Sequence, residues 1–326
     1  MKRVPISLII DDPAPIISVY YEHAKNRVLE DGRELIPTYS NELLFNFCDV
    51  IERWGIKGKF SVVPMPGNKG DIVNGLLGVP ASEVMLWLDT VRRRVAPRFT
   101  IGPEMLTHNK AVDLATGGAL SMREDEFAAT QDRTTLTPYI EKALLLLKEA
   151  GFDAYGVTSP WQFGIGVEEE YEVAISRAVF AVTGKREAWF FLRGLRDRPN
   201  AKPWVAREEE GRTLVSIPAT THDRIWQTIA SSDTSDDYVR RVADELITED
   251  GREGEIIRVL ETGGYPILVT HWQSLMSNGL GTGLHVLDEV GRRVKACLSD
   301  RVEWMSFGEI LQMVLADKKA YPKPVF

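Results

Sequence analysis

Imidazole can ligate a metal or move a proton near neutral pH, and a carboxylate beside it can do either as well. The chain has five histidines. Three of them, His108, His222 and His271, follow segments with strand character. Asp11 and Asp12 end another such segment, Ser159-Pro160-Trp161 follows a further one, and Glu104 shortly precedes His108. The triplet Asp11-Asp12-Pro13 has two readings. Asp and Pro favour turns, so it can simply reverse the chain. Alternatively the two acids form a working pair, one on a metal and one as a base. A solitary histidine is commonly a core or loop group bonded to backbone. The position of His108 between Glu104 and Asp113 sets a metal reading beside that one. His222, within Thr220-Thr221-His222-Asp223, is a second candidate, whereas His23 and His285 read as surface or loop groups.

Residues so far apart meet only if a fold gathers strand ends. Strand-like and helix-like segments alternate through the chain. Strands are predicted at 6–10, 59–63, 98–101, 154–157, 188–192, 213–217, 266–270 and 302–305. Helices are predicted at 40–54, where Gly55 caps the end, and at 82–95, 167–179 and 284–298. Another begins at Thr137-Pro138 and runs to Gly151, two lie within 235–262, and Ser306 caps a last one. Repeated strand–helix units favour a parallel sheet covered by helices. Their number and the chain length suit an α/β fold of the (β/α) barrel type, a distorted seven- or eight-stranded TIM-like barrel forming one domain over 1–326. The site then lies at the C-terminal strand ends. The Gly- and Pro-rich stretch 64–80 reads as a loop insertion that helps wall it. The run Glu168-Glu169-Glu170 reads as an acidic helix start.

The 326 residues are 44% hydrophobic and 26% charged, enough for a packed core. A net charge of −8 makes nucleic acid a poor partner. No apolar run approaches the roughly 18 residues of a membrane span. Met1-Lys2-Arg3 before an apolar run faintly mimics a secretion signal, but that run is short and ends in two acids. Cys48 falls in an apolar helical pattern and reads as a buried thiol rather than half of a disulfide with Cys297. These features lead us to expect a cytoplasmic protein with a small-molecule or carbohydrate substrate. The oligomeric state, including a homo-oligomer, stays open.

Ile6-Ser7-Leu8-Ile9-Ile10-Asp11-Asp12-Pro13 resembles the first motif of the polysaccharide deacetylase (NodB-like, carbohydrate esterase family 4) superfamily, an apolar strand ending in an Asp-Asp pair. Further stretches resemble that family in order. These are 55–63 for its second strand, Glu104 to His108 for its histidine motif, and 136–151 with 155–164 for a helix and a Pro-aromatic motif. Pro266 to His271 resembles its late strand, and 302–311 its closing strand and helix. The departures are specific. The family's second histidine falls at Val112, next to Asp113, and its arginine before the Pro-aromatic pair is replaced by Thr158 and Ser159.

The resemblance implies a hydrolase that cleaves an N-acyl or O-acyl bond with a divalent metal, zinc first among them. It implies Asp11 as base, His271 as the acid for the leaving group, and Asp12 and His108 as ligands. Asp113, His222 or a water is left for the third ligand position. Ser159, Pro160, Trp161, His222 and Trp272 are expected to meet substrate. Flat rings at Tyr20, Tyr21, Trp161, Phe163, Trp226 and Trp272 suit sugar faces or simple packing. Two rivals remain. One is a metal-free glycosidase using two of Asp11, Asp12 and Glu104, and the other a non-catalytic carbohydrate-binding barrel.

Overall fold

A computed structural model describes residues 3–324. Of the N-terminal stretch weighed as a leader, Met1 and Lys2 lie outside them. Eight strands set the architecture: β1 (Val4–Asp11), β2 (Gly58–Val62), β3 (Phe99–Pro103), β4 (Gly156–Thr158), β5 (Glu187–Phe191), β6 (Arg212–Ser216), β7 (Ile267–His271) and β8 (Val302–Trp304). One parallel sheet runs β7-β1-β2-β3, with β8 pairing the start of β1. A second runs β6-β5-β4 in parallel, with Trp204–Glu209 added antiparallel to β6.

The strand–helix alternation and the adjacency of the first and last strands therefore hold. A single closed barrel does not. Among the described residues, β3 and β4 are joined only by the bridge Glu104↔Thr158. At the other seam, the Thr220 and Ile267 backbones meet just past the end of β6. The fold is a mixed α/β structure in which two sheets face a shared interior without one continuous ladder. The short extended pieces 110–112 and 119–123, which form a hairpin, and Trp204–Glu209 were not foreseen as strands.

β1 shows why the interior is mixed in character. Ile6, Leu8 and Ile10 join the cluster shared with the helices, whereas Ile9 joins Trp189, Val215 and Ile267 from other strands. Alternation then puts Asp11 on the same inner side as Ile9. The register sets Lys59 beside Ile9 and His271 beside Asp11. Gly58 is required where β2 crosses β1, because a Cβ there would sit 1.7 Å from the Leu8 carbonyl oxygen.

Asn41–Trp54 ends as expected at Gly55, with φ 66°. Ser306 forms a full capping box with Glu309. The helix expected to begin at Thr137-Pro138 instead spans Arg133–Glu149. Asp132 caps it by accepting from the Thr134 and Thr135 N–H groups, one turn earlier than the proline suggested. Cys48 is buried and free, as expected. No helix among the described residues is long and apolar enough to cross a membrane.

Candidate metal centre and active site

Beyond its last paired residue, β1 turns sharply. Asp12 has φ 71°, a left-handed conformation uncommon for a residue with a side chain. This breaks the strand alternation, so Asp11 and Asp12 both line one cavity of about 790 Å³. His108 (φ 50°) and Trp161 (φ 49°), on the loops after β3 and β4, are also left-handed and line the same cavity. Backbone strain concentrated in this way is a mark of functional sites.

At the cavity floor, Asp12, Glu104 and His108 are all buried, and their ligand atoms lie within 4.8 Å of one another. His108 Nε2 is 2.9 Å from Asp12 Oδ1 and 3.5 Å from Glu104 Oε1. The Asp12 N–H donates to Glu104 Oε2 at 2.7 Å, which ties the first strand end to the third. Gln273 donates to Asp12 Oδ2. Asp12 Oδ1 and His108 Nδ1 are buried without an aligned hydrogen-bond partner.

Electrostatics hold a proton in this cluster. Burial alone would raise the Asp12 carboxyl, but the adjacent His108 cation outweighs it and holds the acid well below the usual range. Burial disfavours the His108 cation, yet Asp12 and then Glu104 keep it well above its ordinary value. Glu104, buried and facing Asp11 and Asp12, is pushed up to about 7. Two buried carboxylates, one of them with the unpartnered Asp12 Oδ1, and an imidazole converge on one point and form a donor set that suits a divalent cation in place of that proton.

On one side of the cluster, Asp11 accepts from Lys59 Nζ, and the Ser61 hydroxyl donates to it at 3.2 Å. Lys59 is wholly buried and also donates to Thr158 Oγ1 at 2.7 Å. Thr158 and Ser159 stand where the resembled motif carries an arginine, and Lys59 from β2 bonds the first of them. On the other side, His271 Nδ1 bonds Asp223 Oδ2 at 2.7 Å. Burial works against the His271 cation, but the Asp223 bond and the Asp12 charge prevail and set its pKa to about 9.

Asp11, Asp12, His108 and His271 thus converge, and Ser159, Trp161 and His222 join them on the cavity wall. His222 sits toward the rim with Nδ1 2.8 Å from Glu255. Pro160 is buried but does not line the cavity. Besides Pro160, two residues expected at the site lie elsewhere. Asp113 follows the short strand 110–112, and its carboxylate accepts from the Ala115 N–H at 2.8 Å to turn the hairpin. Trp272 is fully buried against Phe47 and Phe60, in the layer between sheet and helix.

His23, read as a surface group, has its ring stacked 4.9 Å from that of His108. Burial and the His108 charge depress it to about 4. The 64–80 stretch does not line the cavity. It supports the His108 loop from behind, through Met65 N–H to Leu106 O and Gly67 N–H to Thr107 O. Lys59, Asp223, Gln273 and the place of Glu104 in the Asp12–His108 cluster were missed. Only Asp223 and Glu104 carried a signal, since each neighbours a histidine already singled out.

No family model matches the chain, and no curated protein matches it. Among solved structures, it is similar to a "putative polysaccharide deacetylase from Mycobacterium smegmatis". The identity is 15%, covering 87% of this chain and 80% of that one, with a TM-score of 0.48. It is also similar to the Xyl-CE4 domain of a multidomain xylanase from the hindgut metagenome of Trinervitermes trinervoides. There the identity is 10%, the coverage 96% and 91%, and the TM-score 0.40. A third similarity is to a 4-alpha-glucanotransferase from Thermococcus litoralis, at 15% identity and a TM-score of 0.40, where the chain covers 95% of itself and 40% of that protein. At such identities and scores, the functional reading rests on the geometry of the site.

Proposed function

We propose that this protein is a metal-dependent hydrolase of the polysaccharide deacetylase type, cleaving an N-acyl or O-acyl bond of a carbohydrate or small amide. The observation that carries this reading is the buried Asp12–Glu104–His108 cluster on the floor of a cavity that also holds Asp11 and His271. Glu104 takes the third ligand place in this reading, not Asp113.

When bound there, a divalent ion supplies Lewis-acid polarisation of the acyl carbonyl and activation of water. Zinc fits a site of three protein ligands, and two carboxylates among them make the site hard enough for manganese to compete. The remaining roles belong to the chain. Asp11 accepts the proton of the attacking water, held in orientation by Lys59 and Ser61. His271, kept protonated to about pH 9 and oriented by Asp223, donates to the departing amine or alcohol. Trp161 and Trp226 give the cavity flat apolar walls suited to a sugar face.

Of the glycosidase alternative's carboxylate pairs, Asp12 with Glu104 fits less well. Paired carboxylates of such enzymes flank the scissile bond about 5 Å or more apart. Here Asp12 and Glu104 bring oxygens within 4.8 Å and are tied together through the Asp12 N–H. The test is release of acetate from N-acetylated and O-acetylated mono- and oligosaccharides by protein loaded with Zn2+, Mn2+ or Co2+. Metal-dependent release, abolished by Asp12→Asn, supports the reading. Failure to bind any of these ions overturns it and leaves the metal-free glycosidase and the binding role.

A further inference from the structure

Glu124 is completely buried, yet no Lys or Arg pairs with it among the described residues. Its carboxylate instead accepts four hydrogen bonds. Oε1 takes the Leu106 N–H at 3.0 Å, the Thr107 N–H at 2.9 Å and the Tyr139 hydroxyl at 2.7 Å. Oε2 takes the His108 N–H at 2.7 Å. Three consecutive N–H groups of one loop therefore converge on a single side chain. The Glu124 N–H in turn donates to Asn109 O at 3.0 Å, so backbone and side chain hold the same turn from both ends.

That turn is the strained one. Met105 has φ 37° and His108 φ 50°, and neither conformation is comfortable for a residue with a side chain. A left-handed His108 needs something to hold it, because its relaxed alternatives would swing the imidazole away from Asp12. A buried carboxylate is costly unless fully hydrogen-bonded, and a hydrocarbon side chain would fill the same space without that cost. What the carboxylate supplies is a fixed point that orients three N–H groups at once.

Resting on the metal reading above, we infer that Glu124 is a positioning residue that clamps the 105–108 turn and aims His108 Nε2 at the Asp12–Glu104 pair. Its closest analogue is the outer group that orients a metal-binding histidine, but it acts through the backbone of the turn and not through the other ring nitrogen, since His108 Nδ1 has no hydrogen-bond partner among the described residues. The Glu124→Gln variant keeps the volume but puts an NH2 group where an acceptor oxygen faces N–H donors. Tyr139→Phe leaves the carboxylate and removes one donor.

The probe is Co2+, followed by its visible absorption band and by calorimetry on the full chain. Thermal unfolding is recorded alongside, and Asp12→Asn serves as the control. Glu124→Gln is expected to bind Co2+ roughly 10- to 100-fold more weakly than wild type, with an altered band while still folded. Tyr139→Phe shifts both in the same direction by less. A folded Glu124→Gln with wild-type affinity and band overturns the inference. If that variant does not fold, unchanged affinity and band in Tyr139→Phe overturns it. Asp12→Asn separates the two ideas. Binding lost in Asp12→Asn but retained in both other variants removes only the clamp, whereas wild type that binds no Co2+ removes the metal reading and the clamp with it.

Discussion

His271 and Asp223, on different segments of the cavity wall, are joined by an Nδ1–Oδ2 bond of 2.7 Å, and the Ser274 hydroxyl donates to the same oxygen at 3.1 Å. The bond fixes the ring's orientation and stabilises its charged form. The His271 pKa is raised to about 9 from an unfolded value near 6.5. A raised pKa contributes stability that is fully present below about pH 6.5 and is lost as pH rises through about 9. With the side chain 30% exposed, that contribution is on the order of 1–2 kcal/mol after screening. Asp223→Asn should return His271 toward the ordinary range and shift the alkaline limb of activity down with it. NMR titration of the His271 ring in metal-free protein checks this. A ring that still titrates near 9 in the variant contradicts the pairing.

Lys59 and Asp11 form a buried pair whose halves need each other. Lys59→Met leaves the Asp11 charge without a cation in a buried place, which costs about 3–5 kcal/mol. The double variant Asp11→Asn with Lys59→Met removes both charges and should recover much of that loss. Urea unfolding of the four proteins measures the coupling. Strictly additive effects would mean that the pair does not act as a unit.

Gly58 is a test of the sheet itself. With the Leu8 carbonyl oxygen 1.7 Å from where a Cβ would lie, β1 and β2 must separate to admit even alanine. Gly58→Ala should destabilise the protein by about 3 kcal/mol, at or above the usual cost of overpacking. A urea midpoint within error of wild type would show that the strands are not packed as described.

These tests touch parts that were unequally legible in the sequence. Runs such as Ile6–Ile10 and Pro266–Thr270 declare buried parallel strands because they are apolar on both faces. Their polar ends then mark Asp11, Asp12 and His271. The third member of the cluster was hidden because spacing along a motif points to Asp113, whereas the left-handed turn at Met105 and His108 folds the chain back so that Glu104 meets His108. Lys59 was hidden for another reason. Strand alternation opposes it to Phe60, but nothing local says that its side faces an acid and not water. Closure into one barrel was over-read, since counting strand–helix units does not reveal whether the ladder between β3 and β4 continues past one bridge.

Loading the site should release protons. His108 is held charged by Asp12 and Glu104, so a cation taking its place must displace that proton near neutral pH. Calorimetry at pH 7 in buffers of different ionisation enthalpy should report more than one proton released per ion bound, from His108 and from the fraction of Glu104 that is protonated at its pKa of about 7. Heats independent of the buffer would mean that His108 was neutral beforehand or is not a ligand.

The decisive measurement is a calorimetric titration of Zn2+ and Mn2+ into wild type, Asp12→Asn, Glu104→Gln, His108→Ala and Asp113→Asn. The structure predicts one bound ion in wild type, retained in Asp113→Asn and lost or severely weakened in the other three. Wild type that binds neither ion at millimolar concentration, or loss of binding in Asp113→Asn with retention in Glu104→Gln, would contradict the metal centre described here.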